Sequence, residues 1–254
     1  YSQKTLDLEQ KNPNIVSTCL KIVWFKLLHT WRVKTMQEQE FTLGRGHTSE
    51  LETSKVLRST YMLLSMTILF SAATAGAAMV LEVPYMGLWT LVPYLALLFV
   101  VEKTKNSVWG LVSVFALTGW LGFTAGPIIN FYLGVSGYEP ILMALGGTGL
   151  IFFTLSGYVL VTKKDLSFMT GFLMTGMLVA FIAGIASVFL NIPGLSLAVS
   201  CMFLLLSSGL IMWQTSAIIH GGETNYISAT VTLYVMVYNI FMILLSFLGG
   251  SSDD

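Results

Sequence analysis

The sequence predicts an all-α, polytopic membrane protein in which seven transmembrane helices pack as a bundle. Three observations carry that reading. Hydrophobic residues make up 55% of the 254 residues and charged residues only 10%, against about 25% charged in ordinary soluble domains. Beyond residue 54 the charges collect in short connections, leaving uncharged runs long enough to cross a hydrocarbon core of about 30 Å. The basic residues, finally, fall only in alternate connections, as the positive-inside rule requires.

The same composition excludes other classes. Net charge is zero, so nothing suggests a nucleic-acid partner, which needs a basic surface. Cys19 and Cys201 lie far apart in different surroundings, and no disulfide framework is on offer. Neither CxxC nor HExxH occurs, so no metal site and no cofactor are predicted.

Residues 1–54 read as an N-terminal cytoplasmic tail. The chain starts at Tyr1 rather than Met, which fits a fragment, a processed product or a mistaken start. Ile15–Val33 is partly amphipathic, carries Lys21, Lys26 and Arg32, and lacks a signal-peptide cleavage site. It reads either as a basic interfacial helix or as sequence upstream of a true start at Met36. The abrupt change in composition favours the second, making 1–35 extraneous. Met36–Ser54 is polar, holds two glycines and has no apolar period, as a flexible tail would.

Residues 55–254 form the expected transmembrane domain. Lys55 and Arg58 precede the first uncharged run, giving span one at 59–81, which Glu82-Val83-Pro84 breaks. Span two, 85–101, contains Pro93 and ends at Glu102-Lys103-Thr104-Lys105. Pro93 would leave the carbonyl of Trp89 without its usual partner and kink the helix. Span three, 107–131, runs into a glycine-rich stretch expected to end it near Asn130 to Gly134. Span four, 140–162, is closed by Lys163-Lys164-Asp165. The uncharged stretch Leu166 to Ile219 is too long for one helix, and the turn signal Asn191-Ile192-Pro193-Gly194 divides it into spans 166–190 and 195–219.

The last span, 225–248, belongs to a hairpin that turns at His220-Gly221-Gly222-Glu223. Paired glycines fit a helix C-terminus, where the residue after the last turn usually needs positive φ. Thr224 or Asn225 can cap the next helix, and Glu223 adds negative charge at its N-terminus. Lysines and arginines precede span one and lie between spans two and three and spans four and five. The N-terminus is therefore expected in the cytoplasm, the His220 turn on the same side, and the C-terminus outside.

Small residues let helices approach in lipid. Gly122 and Gly126 form a GxxxG just before Pro127, and Ala72, Ala73, Gly76 and Ala77 offer a small face on span one. Plain close packing is the reading for each. No span contains a lysine for a retinal Schiff base, a carboxylate for aspartyl proteolysis, or a base beside a nucleophile. No enzyme is predicted. The polar residues left in the terminal hairpin are Gln214, Thr215, Ser216, Tyr234, Tyr238 and Asn239. They suit interhelical hydrogen bonds or a polar cavity lining, and for Asn239 the structural role is favoured.

Four stretches together carry a resemblance: HGGETNYISATVTLYVMVYNIF in the hairpin, GFTAGPII in span three, SKVLRSTYMLLSMTILFSA at span one and ALGGTGLIFFTLSGYVLVTKKDLSFM across span four. Over Lys55 to Gly249 the chain resembles the Bax-inhibitor (TMBIM) membrane family. The resemblance implies a seven-helix bundle with the last helix central, in a bacterial inner membrane, with the C-terminus periplasmic. A bacterial member would begin near Met36. Bacterial members further imply a partnership with FtsH, a membrane-anchored, ATP-dependent protease, as its substrates and as brakes on its action. Other members imply a pH-sensitive calcium leak, gated by two aspartates on the last two helices. Those positions are Gln214 and Met236 here, neither of which titrates, so the like-charge coupling that would sense pH has no basis in this chain.

Overall fold

The computed structural model describes residues 50–190 and 193–250, and every regular element among them is helical. Seven α-helices follow in order: α1 Glu50–Val80, α2 Leu91–Thr104, α3 Trp109–Ser136, α4 Glu139–Thr162, α5 Met169–Leu190, α6 Pro193–Ile219 and α7 Tyr226–Gly250. A 3₁₀ turn, Gly87–Thr90, leads into α2. Residues 1–49, the turn residues Asn191 and Ile192, and the terminal residues 251–254 lie outside the described residues.

Five helices, α1, α3, α4, α6 and α7, are long and apolar enough to cross a membrane. The α5 helix adds 22 uncharged residues. The α2 helix has only 14 residues, a rise of about 21 Å. The 3₁₀ turn ahead of it contributes about 8 Å more. Span two is thus assembled from two pieces rather than one continuous helix.

Three expectations need correction. Pro93 does not interrupt a helix: it sits in the first turn of α2, where its missing N–H removes a donor that has no intrahelical partner anyway. The α3 helix runs through Pro127 and the glycine-rich stretch to Ser136, and ends only at Gly137, whose φ of 77° and N–H to Leu133 O (3.2 Å) close it. In lipid an unbonded backbone costs more than glycine's lost freedom, so glycine there does not stop a helix. The α1 helix starts at Glu50, inside the segment read as flexible tail.

The bundle is built around α7. It packs against α1, α3, α4 and α6, and of its residues only Gly250 is exposed. The α2 helix lies on α3, and α5 lies on α6. The α1–α3 contact is made through small residues. A Cβ on Gly126 would stand 2.6 Å from Ala78 Cβ and 2.8 Å from Ala75 O, and one on Gly122 would overlap Ser71 and Thr74. The small face of α1 is accordingly Ser71, Ala75 and Ala78, all buried. Ala72, Ala73 and Ala77 are exposed instead, and a Cβ on Gly76 would meet nothing within 4 Å.

Hydrogen bonds fix which ends lie together. Asn225, before α7, binds the α2–α3 connection at Lys105 and Asn106. Ser216, near the end of α6, binds the α4–α5 connection at Lys164 and Leu166. Thr230 reaches Thr60 O near the start of α1. At the opposite end Ser136 Oγ donates to Gly249 O at 2.7 Å. All described lysines and arginines, Lys55, Arg58, Lys103, Lys105, Lys163 and Lys164, therefore gather at one end.

Gly122→Ala should destabilise the bundle by about 1–3 kcal/mol, the usual cost of overpacking. Gly146, which has nothing within 4 Å of a built Cβ, should tolerate alanine to within about 1 kcal/mol. Unfolding midpoints of the two variants in detergent micelles check the contrast; equal shifts would contradict the α1–α3 contact.

Candidate functional site

The terminal hairpin is closed at its turn by its own backbone. The α6 helix ends at Ile219, and Gly221 takes φ 72°. Gly221 N–H then donates to Ile218 O (3.2 Å) and Gly222 N–H to Ala217 O (2.8 Å), the paired bonds of a Schellman ending. His220 Nδ1 lies 2.9 Å from the carbonyl of Ser216, a contact that a protonated Nδ1 satisfies. Of the two capping candidates, Asn225 is the cap: its Oδ1 accepts from Ile227 N–H (2.9 Å) and Ser228 N–H (3.1 Å). Glu223 Oε1 accepts from Asn225 N–H at 3.0 Å.

Two side chains turn this end into a clasp. Asn225 Nδ2 donates to Lys105 O (3.1 Å) and Asn106 Oδ1 (2.8 Å). Ser216 Oγ donates to Lys164 O (2.9 Å) and accepts from Leu166 N–H (3.0 Å). Beside it the Ser167 backbone N–H (2.9 Å) and then the Ser167 hydroxyl hold the Asp165 carboxyl below the usual carboxylate range, with His220 assisting. A depressed carboxylate stabilises the fold above its unfolded value and loses that contribution as pH falls through its folded value. The clasp keeps this small term at neutral pH.

Within the bundle, Tyr234 OH lies 2.5 Å from Ser71 Oγ and donates to Thr118 O at 3.2 Å, joining α7 to α1 and α3. Tyr238 stacks beside Tyr234, ring centres 6.3 Å apart. Thr215 meets Tyr61 OH at 3.2 Å, joining α6 to α1. Gln214 and Met236, where some relatives are expected to carry aspartates, are each 2% exposed. Asn239 is fully buried, yet neither its Nδ2 nor its Oδ1 finds a hydrogen-bond partner among the described residues, and Gln214 Nε2 also lacks one. The cross-helix bonds expected of these two amides are absent there.

Gly122, Gly126 and Pro127 belong to α3, the two glycines against α1, and Pro93 opens α2; the structure does not bring them to the hairpin turn. Thr60, Ser71, Thr118, Ser156 and Ser207, all buried polar residues, are additions that sequence reasoning missed. Serine and threonine in membrane helices commonly bond their own backbone, as Thr118 does to Val114 O, and so give no distinguishing signal. Among the described residues no group of three or more His, Cys, Asp or Glu side chains could hold a metal ion.

Residues 53–253 match the family model described as "Inhibitor of apoptosis-promoting Bax1". The chain belongs to this family. It is 55% identical over 212 residues to the Escherichia coli (strain K12) "Modulator of FtsH protease YccA", covering 83% of this chain and 97% of that protein. An Escherichia coli O6:H1 relative with the same identity and coverage is named "Inner membrane protein YccA". A Pseudomonas aeruginosa relative described as uncharacterized is 48% identical over 221 residues, covering 86% of this chain and 100% of its own length. These relatives are named as a modulator, a membrane protein or an uncharacterized protein, none of them as an enzyme.

Asn225→Ala should cost about 1 kcal/mol as a lost cap and speed hydrogen exchange at the Ile227 and Ser228 amides. Asn225→Asp should keep those amides protected while losing the donors to Lys105 and Asn106. Exchange mass spectrometry over the α7 start distinguishes the two; indistinguishable exchange would remove Asn225 as the cap.

Proposed function

We propose that this chain is an integral inner-membrane regulator, and itself a substrate, of FtsH-mediated proteolysis of membrane proteins, without enzymatic activity of its own. The observation that carries the reading is the 55% identity across 97% of a relative named as a modulator of that protease. The chemistry is compatible: the uncharged runs of the spans supply no acid or base for catalysis. An ATP-driven protease needs a stretch it can grip before it must melt structure. The polar sequence ahead of α1 is where such a protease takes hold in this reading. Pulling on α1 then meets the glycine contact with α3 and the Thr60–Thr230 and Ser71–Tyr234 bonds to α7. Resistance at that step occupies the protease and slows its action on other membrane proteins.

In this reading the basic end of the bundle is cytoplasmic, together with the N-terminus and the His220 turn, and the C-terminus is periplasmic. In this reading a calcium leak gated by pH has no basis, since Gln214 and Met236 cannot titrate. Purified chain in liposomes should pass no pH-gated cation current; robust flux would favour a leak channel instead.

Deleting residues 36–49 should lengthen the half-life of the chain in cells that contain FtsH and leave the unfolding midpoint of the bundle unchanged. A membrane crosslinking pull-down should recover FtsH as a principal partner. Equal half-lives with and without the segment would rule it out as the point of entry. A reporter fused behind Asp254 should be active only in the periplasm; cytosolic activity would overturn the orientation.

A further inference from the structure

The unpartnered amides of Asn239 and Gln214 are joined by two unpartnered hydroxyls, Ser156 Oγ and Ser207 Oγ, all four residues at most 2% exposed. Their placement on the helices is not scattered. At 3.6 residues per turn, Asn239 lies about 140° around α7 from Tyr234 and about 180° from Thr230. Those two residues hydrogen-bond to α1 and α3, so Asn239 faces away from them, toward the other neighbours of α7, namely α4 and α6. On α6, Ser207 and Gln214 share one buried stripe, apart from the residues Leu206 and Gly209 that meet α5. On α4, Ser156 stands on the single buried stripe that includes Ala144, Thr148 and Phe152. The helices α4, α6 and α7 contact one another pairwise.

Depth brings the four groups into pairs. Measured from the basic end at 1.5 Å per residue, Gln214 and Ser156 lie about 8 and 9 Å in, and Ser207 and Asn239 about 18 and 20 Å in. Each level joins a primary amide to a hydroxyl. An amide left without a partner in such surroundings carries a heavy desolvation cost, and native interiors meet that demand with ordered water making two to four hydrogen bonds. A divalent ion is a poor match, because the four side chains supply no charge to offset its burial.

We propose that the α4–α6–α7 interior is a hydration site, in which water molecules bridge Asn239 to Ser207 and Gln214 to Ser156. The site is independent of the partnership with FtsH, and its ligand is water itself. Met236 is a built-in reporter: it is 2% exposed and lies about 60° around α7 from Asn239. Met177, 1% exposed on α5, is the dry control. A hydroxyl-radical pulse generated in water oxidises buried side chains only where water is beside them.

In wild-type protein in lipid nanodiscs, a millisecond radical pulse should convert Met236 to its sulfoxide several-fold faster than Met177. In the double variant Ser207→Ala, Asn239→Leu, Met236 oxidation should fall to the Met177 rate. Equal, slow oxidation of the two methionines in the wild type would overturn the proposal, whether or not the variant folds. Equal, fast oxidation of both would also overturn it, because general opening of the bundle rather than interior water would then be responsible. Met236 oxidation unchanged in a folded double variant would remove Asn239 and Ser207 as the groups that hold the water.

Discussion

Inside hydrocarbon a helix can bury itself against protein or against lipid, and the choice decides which of its side chains are free to be polar. The α7 helix is almost wholly surrounded by protein, so its polar side chains must be answered by α1, α3, α4 and α6. Toward α1 and α3 they are: Tyr234 reaches Ser71 and Thr118, and Thr230 reaches Thr60. Those bonds hold because α1 and α3 are themselves drawn together at Gly122 and Gly126, where no side chain intervenes. Bulk at Gly122 would press on Ser71 and with it the hydroxyl that Tyr234 uses, and bulk at Gly126 would push α1 away at Ala75 and Ala78. The polar contacts of the central helix thus depend on two glycines in a neighbouring one.

Helix ends obey the complementary constraint, since their free carbonyls must be closed at the membrane boundary. Four ends here place one residue in the left-handed region: Glu82 after α1, Gly137 after α3, Lys163 after α4 and Gly221 after α6. Two of the four are glycine, as expected. Glu82 and Lys163 accept backbone strain of order 1–3 kcal/mol at positions where a charge marks the boundary with water. For Lys163 there is a partial return, because a cation beside a helix C-terminus is favoured by the dipole.

The sequence was most legible where one physical requirement dominates. Length and absence of charge placed α4, α6 and α7 to within a residue or two, because a bilayer imposes both. Turn chemistry pointed to the Gly221 ending and left the cap between Thr224 and Asn225, of which the structure selects Asn225. It was least legible where several residues satisfy the same requirement. Alanine occupies both sides of α1 around Ser71, so composition could not choose between the face that meets α3 and the face that meets lipid. Pro93 suggests a kink only if the helix starts at 85; a start at Leu91, six residues later, turns an interior proline into a first-turn one. Asn239 and Gln214 looked like candidates for cross-helix bonds, but a sequence does not say which polar group stands opposite. Ser156 and Ser207 were invisible for the same reason.

The distribution of titratable groups bears on how such a bundle could be controlled. The spans contain no carboxylate, lysine, arginine or histidine in their uncharged runs, so their packing has no acid or base through which a change near neutral pH could act. Such groups sit instead at the helix ends: Glu82 and Glu139 at one end, and at the basic end Asp165 in the α4–α5 connection, His220 in the hairpin turn and Glu223, which orders the start of α7. The side chains that tie this end together, Ser216 and Asn225, are neutral. A pH change therefore alters charge around the clasp without breaking its bonds. Mechanical load applied through α1 is different in kind: it acts on the α1–α3 glycine contact, on which the hydrogen bonds of the central helix rest. A pulling protease therefore addresses this fold more directly than a proton does.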